Sequence, residues 1–478
     1  MLVYVYGGLG MDKRAVRIKS ICIENFKNVN NGKIELENRR KKYRTSIVGL
    51  YGQNGSGKTA LIDAIQLLKY ALSGRVVPNK YADYINIGAP FSTLKFQFEV
   101  RDERGSYQIW YEFSMKKKVD ETSQNMEDVN GSDMKIRAVI FDEVLAYGYS
   151  SLDEKVRKGT FIDTRTDEVF VPKAKFYELV GNERSITTEL LVAKRLAEVT
   201  SRSFIFSREL LQVIRDNCKN EKYNYMIERL VSFGNRELFV INTENSGIIS
   251  MNVLPLSFKY KGKDSEAVGN LMFSLNTPSF IPEETLSVVH KIIDNMNIVL
   301  KQLVPGLTIG IVDLGIALLE NGEKGRCIQL MSYKNSKEIP FQYESEGIKK
   351  IVSILQLLIV VYNNPSITVA IDELDAGVFE YLLGELLNII SEKGKGQLIF
   401  TSHNLRPLET IDKGFIAFTT TNPNNRYIRM TNVKGNNNLR DFYYRDIVLG
   451  EQSEQVYCPT NNFEIALAFR EAGEVFDT

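Results

Sequence analysis

Gly52-Gln53-Asn54-Gly55-Ser56-Gly57-Lys58-Thr59 lies between an apolar run, Ser46-Ile47-Val48-Gly49-Leu50-Tyr51, and the stretch Ala60-Leu61-Ile62-Asp63-Ala64-Ile65-Gln66-Leu67-Leu68. The octet has the spacing GxxxxGK[ST]. Its flanks read as a buried strand and an amphipathic helix, the context a phosphate-binding loop requires. Glycines let such a backbone wrap a phosphate with its N–H groups pointing inward, and the helix N-terminus adds partial positive charge. Gly52, Asn54, Gly55, Ser56, Gly57, Lys58 and Thr59 are therefore the candidate nucleotide-binding residues. Lys58 is expected to reach the β- and γ-phosphates, and the Thr59 hydroxyl to ligate Mg2+. A chance glycine-rich turn would lack these flanks.

Hydrolysis needs a held metal and an oriented water. The stretch Ile367-Thr368-Val369-Ala370-Ile371-Asp372-Glu373-Leu374-Asp375 reads as a buried strand ending in adjacent acids. Ligands of open α/β sheets bind at the carboxyl ends of strands. Asp372 is the candidate metal ligand and Glu373 the group that polarises water. Adjacent strand residues face opposite sides, which suits two distinct roles. A second apolar strand, Gly396 to Thr401, ends in Ser402-His403-Asn404. His403 is one of only two histidines and is placed to sense a γ-phosphate, since neutral imidazole hydrogen-bonds phosphate oxygen. His290 falls inside an amphipathic helix and reads as structural. Upstream of the acid pair, Tyr343-Glu344-Ser345-Glu346-Gly347-Ile348-Lys349-Lys350 opens an apolar helix. Ser345 and Gly347 at a helix start offer a hydroxyl and free N–H groups to phosphate. Ser and Gly also commonly open helices with no ligand, so the position in the motif order gives this stretch its meaning.

The chain has 478 residues, 44% hydrophobic and 25% charged, with a formal net charge of +1. It is long enough for two or three domains and a large core. The balanced charge gives no global attraction to nucleic acid or membrane, so either would need a local patch. Cys22, Cys218, Cys327 and Cys458 lie far apart, which suggests neither a zinc site nor a disulfide framework and fits a reducing cytoplasm. No stretch reaches the roughly 18 apolar residues of a membrane helix. The first ten residues are expected to be a weakly ordered tail, with Met11 an alternative start. Residues 1–172 read as alternating strands around the phosphate loop, 173–304 as a mostly helical insertion and assembly domain, 305–420 as a second α/β half, and 421–478 as a C-terminal extension. Arg39-Arg40-Lys41-Lys42 with Arg44, and Lys116-Lys117-Lys118, are basic runs that read either as solvated faces or as a DNA-facing patch.

The order of these elements resembles an ABC-type ATPase head: phosphate loop, signature (Ser345 to Gly347), Asp372 with catalytic glutamate Glu373, a D-loop-like Leu374-Asp375-Ala376-Gly377, and the switch histidine His403. More narrowly, Ile21-Cys22-Ile23-Glu24-Asn25-Phe26-Lys27-Asn28, with the signature and the Thr401-Ser402-His403-Asn404 end, resembles the SMC, RecF and OLD-related group. That group includes stand-alone AAA-family ATPases of bacterial antiphage defence. The signature lacks the second glycine of transporters. Gln97 is one candidate for a Q-loop glutamine, and Val378-Phe379-Glu380 stands where related heads often carry a histidine. No coiled-coil arm, zinc hook or TOPRIM-sized remainder is legible.

The resemblance implies an α/β ABC-ATPase head, a mixed sheet with flanking helices and the helical insertion between phosphate loop and signature. It implies ATP and Mg2+ as cofactors, with Lys58, Glu373 and His403 as catalytic residues and Thr59 and Asp372 on the metal. It also implies a homodimer or higher homo-oligomer, with Ser345 and Gly347 of one copy completing the ATP site of another. The expected function is a cytoplasmic sensor or scaffold ATPase of antiviral defence. It would control a separate nuclease or toxin, with no nuclease activity of its own. The alternative is a RecF- or SMC-like DNA-binding ATPase in repair.

Overall fold

A computed structural model describes residues 2–7, 15–38, 45–101, 103, 105–119, 136–261, 265–319, 322–335, 337–430, 438–450 and 452–474. The basic cluster Arg39 to Arg44, Met11, and the polar stretch Asn125 to Asp133 lie outside them.

The central sheet is six-stranded. It runs β19 (Tyr427–Ile428), β18 (Ile416–Thr419), β4 (Ser46–Tyr51), β17 (Gln397–Thr401), β16 (Thr368–Ile371) and β9 (Leu238–Ile241). All its pairings are parallel except β18–β19. A parallel sheet must be covered on both faces, and period-two alternation divides these strands between two cores. Val48, Leu50, Ala370, Ile399 and Ala417 face one core. Ile47, Tyr51, Val369, Ile371, Leu398, Phe400, Ile416 and Phe418 face the other.

The first core is closed by an antiparallel sheet in the order β3 (Val29–Glu35), β2 (Val16–Phe26), β5 (Phe91–Arg101), β6 (Gly105–Val119), β7 (Ile136–Ser151) and β8 (Lys155–Asp163). Helix α1 (Lys58–Leu72) lies in the same core, with α2 (Lys173–Val180), α3 (Arg184–Val199), α4 (Arg208–Asn217) and α5 (Glu221–Ser232). The second core holds α7 (Glu283–Leu303), α8 (Glu346–Asn363) and α9 (Glu380–Lys393), with the short α6 (Thr243–Ser250) beside α8. It is roofed by the sheet β1 (Leu2–Gly7), β11 (Ser265–Ser274), β10 (Val253–Lys261) and by β12 (Ser279–Pro282), β14 (Lys324–Lys334), β13 (Leu307–Leu318), with β15 (Lys337–Pro340) beside β14. Helices α10 (Pro407–Thr410), α11 (Leu439–Leu449) and α12 (Asn462–Glu474) follow the last long strand of the central sheet.

Three expectations change. Leu2–Gly7, read as a tail, pairs antiparallel with β11. Helices do fill most of 173–304, but the segment also supplies β9 to β12, and β9 pairs with β16 as the edge of the central sheet. Its four residues are too short a run to show a strand period beside long helical patterns. A boundary at 420 would also part β18 from β19, which pair through Phe418↔Ile428 and Thr419↔Tyr427.

Among the buried acids of the first core, Glu143 on β7 is the most enclosed. Glu143, 2% exposed, accepts from Tyr111 Oη at 2.6 Å and Phe204 N at 2.6 Å, and from Ser203 Oγ. Burial raises its carboxyl above the ordinary range, against the pull of those donors. Glu143→Ala would leave a phenol, a hydroxyl and an amide without an acceptor. We expect it to lower unfolding free energy by about 3 kcal/mol in urea titrations, well beyond a surface Glu→Ala change.

Candidate nucleotide site

The parallel register brings the strand ends level. Ile371 pairs with Phe400 and Ile241, Phe400 with Gly49, and Thr401 with Leu50. The residues just past these ends therefore meet at one edge, where the crevice of an open α/β sheet lies.

The loop 52–59 leaves β4 and enters α1. Gly52 sits at φ 150°, and a Cβ there would stand 1.8 Å from Thr419 Oγ1, so no other residue fits the turn. Ser56 Oγ donates to Gln53 O at 2.5 Å and shares a hydrogen bond with Thr419 Oγ1. Lys58 Nζ donates to Gly52 O at 2.9 Å and Gln53 O at 3.0 Å. Burial lowers the Lys58 ammonium from its ordinary value, while Asp372, Glu373 and Asp375 pull it back up. Asn54 and Gly55 are exposed on the loop, Gly57 is buried beneath it, and Thr59 is half-buried in the first turn of α1. The loop is also held from outside by Asn28, Arg426 and Tyr427. Tyr427 Oη donates to Gly57 O at 2.9 Å, Asn28 Nδ2 donates to Gly55 O, and Arg426 joins Thr420 O to Asn28 O at 2.5 and 2.6 Å.

Asp372 is fully buried. Its Oδ1 accepts from Thr401 Oγ1 at 2.5 Å and its Oδ2 from Thr243 Oγ1 at 2.6 Å. Thr401 Oγ1 also accepts from Glu373 N at 2.8 Å, so one hydroxyl fixes both acids. β16 ends at Ile371, so the two acids diverge through a turn and not through strand alternation. Glu373 takes a left-handed conformation at φ 49°, a state that strains any residue with a Cβ. The D-loop acid Asp375 accepts through Oδ2 from His403 N at 3.0 Å and Asn404 N at 2.9 Å. Its Oδ1 is buried with no hydrogen-bond partner among the described residues. His403 itself is exposed at the end of β17.

Ser345 caps α8, its Oγ accepting from Ile348 N at 3.3 Å. Gly347 packs against the D-loop so closely that a Cβ would meet Gly377 O at 2.2 Å. No hydrogen bond joins either residue to loop 52–59 among the described residues. Lys350, on the same helix and 3% exposed, is lowered by burial and raised by Glu373, Asp372 and Asp375, so a buried cation faces the acid cluster. Gln97, the Q-loop candidate, lies inside β5 beside Ser20 and not at a loop. Lys116 and Lys117 pair with Glu198 and Asp83, at 3.3 and 3.4 Å.

Loop, strand-end acids and exposed histidine meet at one sheet edge, the arrangement of a phosphate-loop nucleotide site. The chain matches the family model described as AAA domain over residues 20–231. Over 227 residues it is 27% identical to the SbcC component of the nuclease SbcCD of Clostridium acetobutylicum, an alignment covering 46% of this chain and 18% of that protein. The chain thus spans under a fifth of that relative's length. Solved structures similar to it include the SMC head domain from Thermotoga maritima (14% identity, 87% and 99% of the two chains, TM-score 0.35). Others are the Smc head from Pyrococcus furiosus bound to the C-terminal domain of ScpA (12%, 87% and 96%, 0.38) and RecF of the RecFOR pathway (14%, 86% and 98%, 0.35). No helix among the described residues is long and apolar enough to cross a membrane.

Thr401→Val removes the hydroxyl that Asp372 and Glu373 share. Turnover is expected to fall about 10- to 100-fold, the usual cost of losing a group that orients a metal ligand, with nucleotide affinity little changed in a fluorescent-ATP titration. At Glu373 the left-handed backbone inverts an ordinary order of stability. Glu373→Gly should unfold at higher denaturant than Glu373→Ala, by about 0.5–1 kcal/mol, whereas alanine normally wins.

Proposed function

We propose that this chain binds Mg2+-ATP in loop 52–59 and hydrolyses it once two copies close on two nucleotides. Ser345 and Gly347 of each copy would complete the site of the other. The observation that carries this reading is the separation of the two halves. The loop, Asp372, Glu373 and His403 gather at the central sheet edge, while Gly347 packs on Gly377 of the D-loop, Ser345 caps its own helix, and neither hydrogen-bonds its own phosphate loop among the described residues.

The donor set fits a nucleotide-borne metal. No group of three or more His, Cys, Asp or Glu side chains among the described residues forms an all-protein cage. Each Asp372 oxygen has one threonine donor and keeps a second lone pair. Mg2+ is typically bound by one or two protein oxygens together with substrate phosphates and water. Thr59 and Asp372 would hold it, and when bound it neutralises charge on the β- and γ-phosphates. Lys58 adds charge to the same phosphates. Glu373 accepts a hydrogen bond from the attacking water and aims it in line, and His403 hydrogen-bonds a γ-phosphate oxygen.

This cycle would act as a two-state switch, biased by the γ-phosphate, that holds or releases a separate effector. A relative named as one component of a nuclease supports a nuclease as that effector. The resemblance to stand-alone defence ATPases supports antiviral defence as the setting. A repair ATPase binding DNA is the competing reading. Lys116 and Lys117 give it little, since each already pairs with an acid.

Glu373→Gln should accumulate an ATP-bound dimer or larger assembly in size-exclusion light scattering. Lys58→Ala should take up no fluorescent ATP and stay in the unassembled state. A Glu373→Gln protein that saturates with Mg2+-ATP yet never assembles refutes the sandwich. DNA affinity falling steeply with salt would favour the repair reading.

A further inference from the structure

Among the described residues, nothing covers helix α12. Residues 461–473 are all exposed, Phe463 at 77% and Phe469 at 78%. Its apolar side chains are not confined to one stripe. Phe463 and Leu467 form one i, i+4 ridge, and Ile465, Phe469 and Ala472 form another, with Glu464 and Glu471 in a narrow polar line between them. Two apolar ridges left exposed on one helix are surface that a partner can bury. Thirteen residues are also too few to hold a helix in water unaided.

Where α12 starts points to what covers it. After α11 the chain runs as a strap along the loop that follows β18. Thr421 N donates to Gln455 O at 2.8 Å, Asn422 and Asn425 donate to Glu454 at 3.1 and 2.9 Å, and Val456 is buried. The strap ends on the phosphate loop, where Cys458 N donates to Gln53 Oε1 at 2.9 Å. The link 459–461 reaches at most roughly 14 Å, so α12, about 20 Å long, emerges at the rim of the nucleotide site.

Further exposed aromatics stand near the signature and the D-loop in sequence. Tyr343 (70% exposed) and Phe379 (70%) lie two residues from Ser345 and Gly377, and Tyr381 (54%), with the Arg406 guanidinium 5.1 Å over its ring, follows on α9. In the nucleotide sandwich, the rim of one copy's phosphate loop and the signature surface of the other are the two sides of one interface. Aromatics left open beside that interface mark a docking surface.

We propose that α12 is a latch between copies: Phe463 and Phe469 of one chain dock on the Tyr343, Phe379 and Tyr381 collar of a second copy of this chain. The inference rests on the sandwich reading above and adds a second contact to it. By two-fold symmetry both latches form together. Each holds the mouth of the site whose phosphate loop anchors its strap, so nucleotide escape requires the latch to open.

The test uses the full chain carrying Glu373→Gln, with the dimer dissociation constant measured by analytical ultracentrifugation in Mg2+-ATP. Adding F463E and F469E changes only exposed side chains, and circular dichroism should show the fold intact. The dimer should weaken at least about tenfold, from the loss of two buried aromatics per latch. Fluorescent-ATP binding at concentrations below dimerisation should stay within about twofold. Phe379→Glu should weaken the dimer likewise, and combining it with the α12 changes should add little, as for groups in direct contact. If Glu373→Gln dimerises and the α12 variant dimerises equally well, the latch is wrong and the sandwich stands. Full additivity of the Phe379 and α12 changes places α12 elsewhere and also overturns it. If Glu373→Gln binds ATP but forms no dimer, the sandwich itself fails and the latch with it.

Discussion

The hydrogen bonds that Asp372 accepts from Thr401 and Thr243 hold the head together at its most charged point. A fully buried carboxylate in a strand end is costly unless its oxygens are satisfied. Here three parallel strands cooperate to satisfy it: β16 carries the acid, β17 ends in one threonine, and β9 leads into the other. The register that aligns β9, β16, β17 and β4 is thus a polar requirement as well as a packing solution. The buried apolar faces fix which way each strand turns. The threonines fix how far each strand runs before it must end. Segment 173–304 cannot be an independent module in this arrangement, because its β9 and Thr243 are parts of the site.

Around that acid the site balances charge with few exposed groups. Asp372, Glu373 and Asp375 act together on two buried lysines, Lys58 below the phosphate loop and Lys350 on the signature helix. Desolvation lowers each ammonium from its ordinary value and is the larger effect, while the nearby acids pull it partly back up. Lys58 meanwhile donates to the carbonyls of its own loop, which a phosphate group could replace as acceptors without moving the helix. The left-handed backbone of Glu373 lies directly after Asp372. Backbone strain of this kind concentrates at functional sites, where surrounding bonds over-determine the conformation. The bond from Glu373 N to Thr401 supplies that constraint.

Much of this was legible in the sequence because the determinants are local. The phosphate loop, the acid pair and the histidine each announce themselves by a short apolar strand followed by polar residues, and the strands are where that pattern puts them. The supporting groups were not legible, for a physical reason. Thr243 lies 129 positions from Asp372, and Tyr427 lies 370 from Gly57. Each acts through one hydroxyl, which leaves no periodicity or spacing to detect. Thr401 was visible within its strand end, but only the parallel register shows that it touches both acids. The four-residue β9 sits among helices, and a run of that length carries too little pattern to separate a strand from a turn of helix. The fate of Gln97 follows from the same limit: a glutamine in a strand of alternating residues looks the same whether it ends a loop or faces a neighbour.

The contact between Gly347 and Gly377 joins the two parts of the surface that the phosphate loop does not reach. With no side chain at either position, the signature turn rests directly on the D-loop carbonyl. The D-loop in turn holds the backbone of His403 and Asn404 through Asp375, and the same loop carries Glu373 at its start. A displacement of the α8 N-terminus has no soft side chain in which to dissipate. It bears on Gly377 and, through the D-loop, on the segment that contains Glu373 and the Asp375 anchor of the His403 backbone. Packed backbone contacts transmit strain because they are nearly incompressible. Whatever presses on Ser345 and Gly347 from outside therefore acts on Glu373 and His403 within the same chain. This physical path would let the arrival of a second molecule be felt at the reacting phosphate.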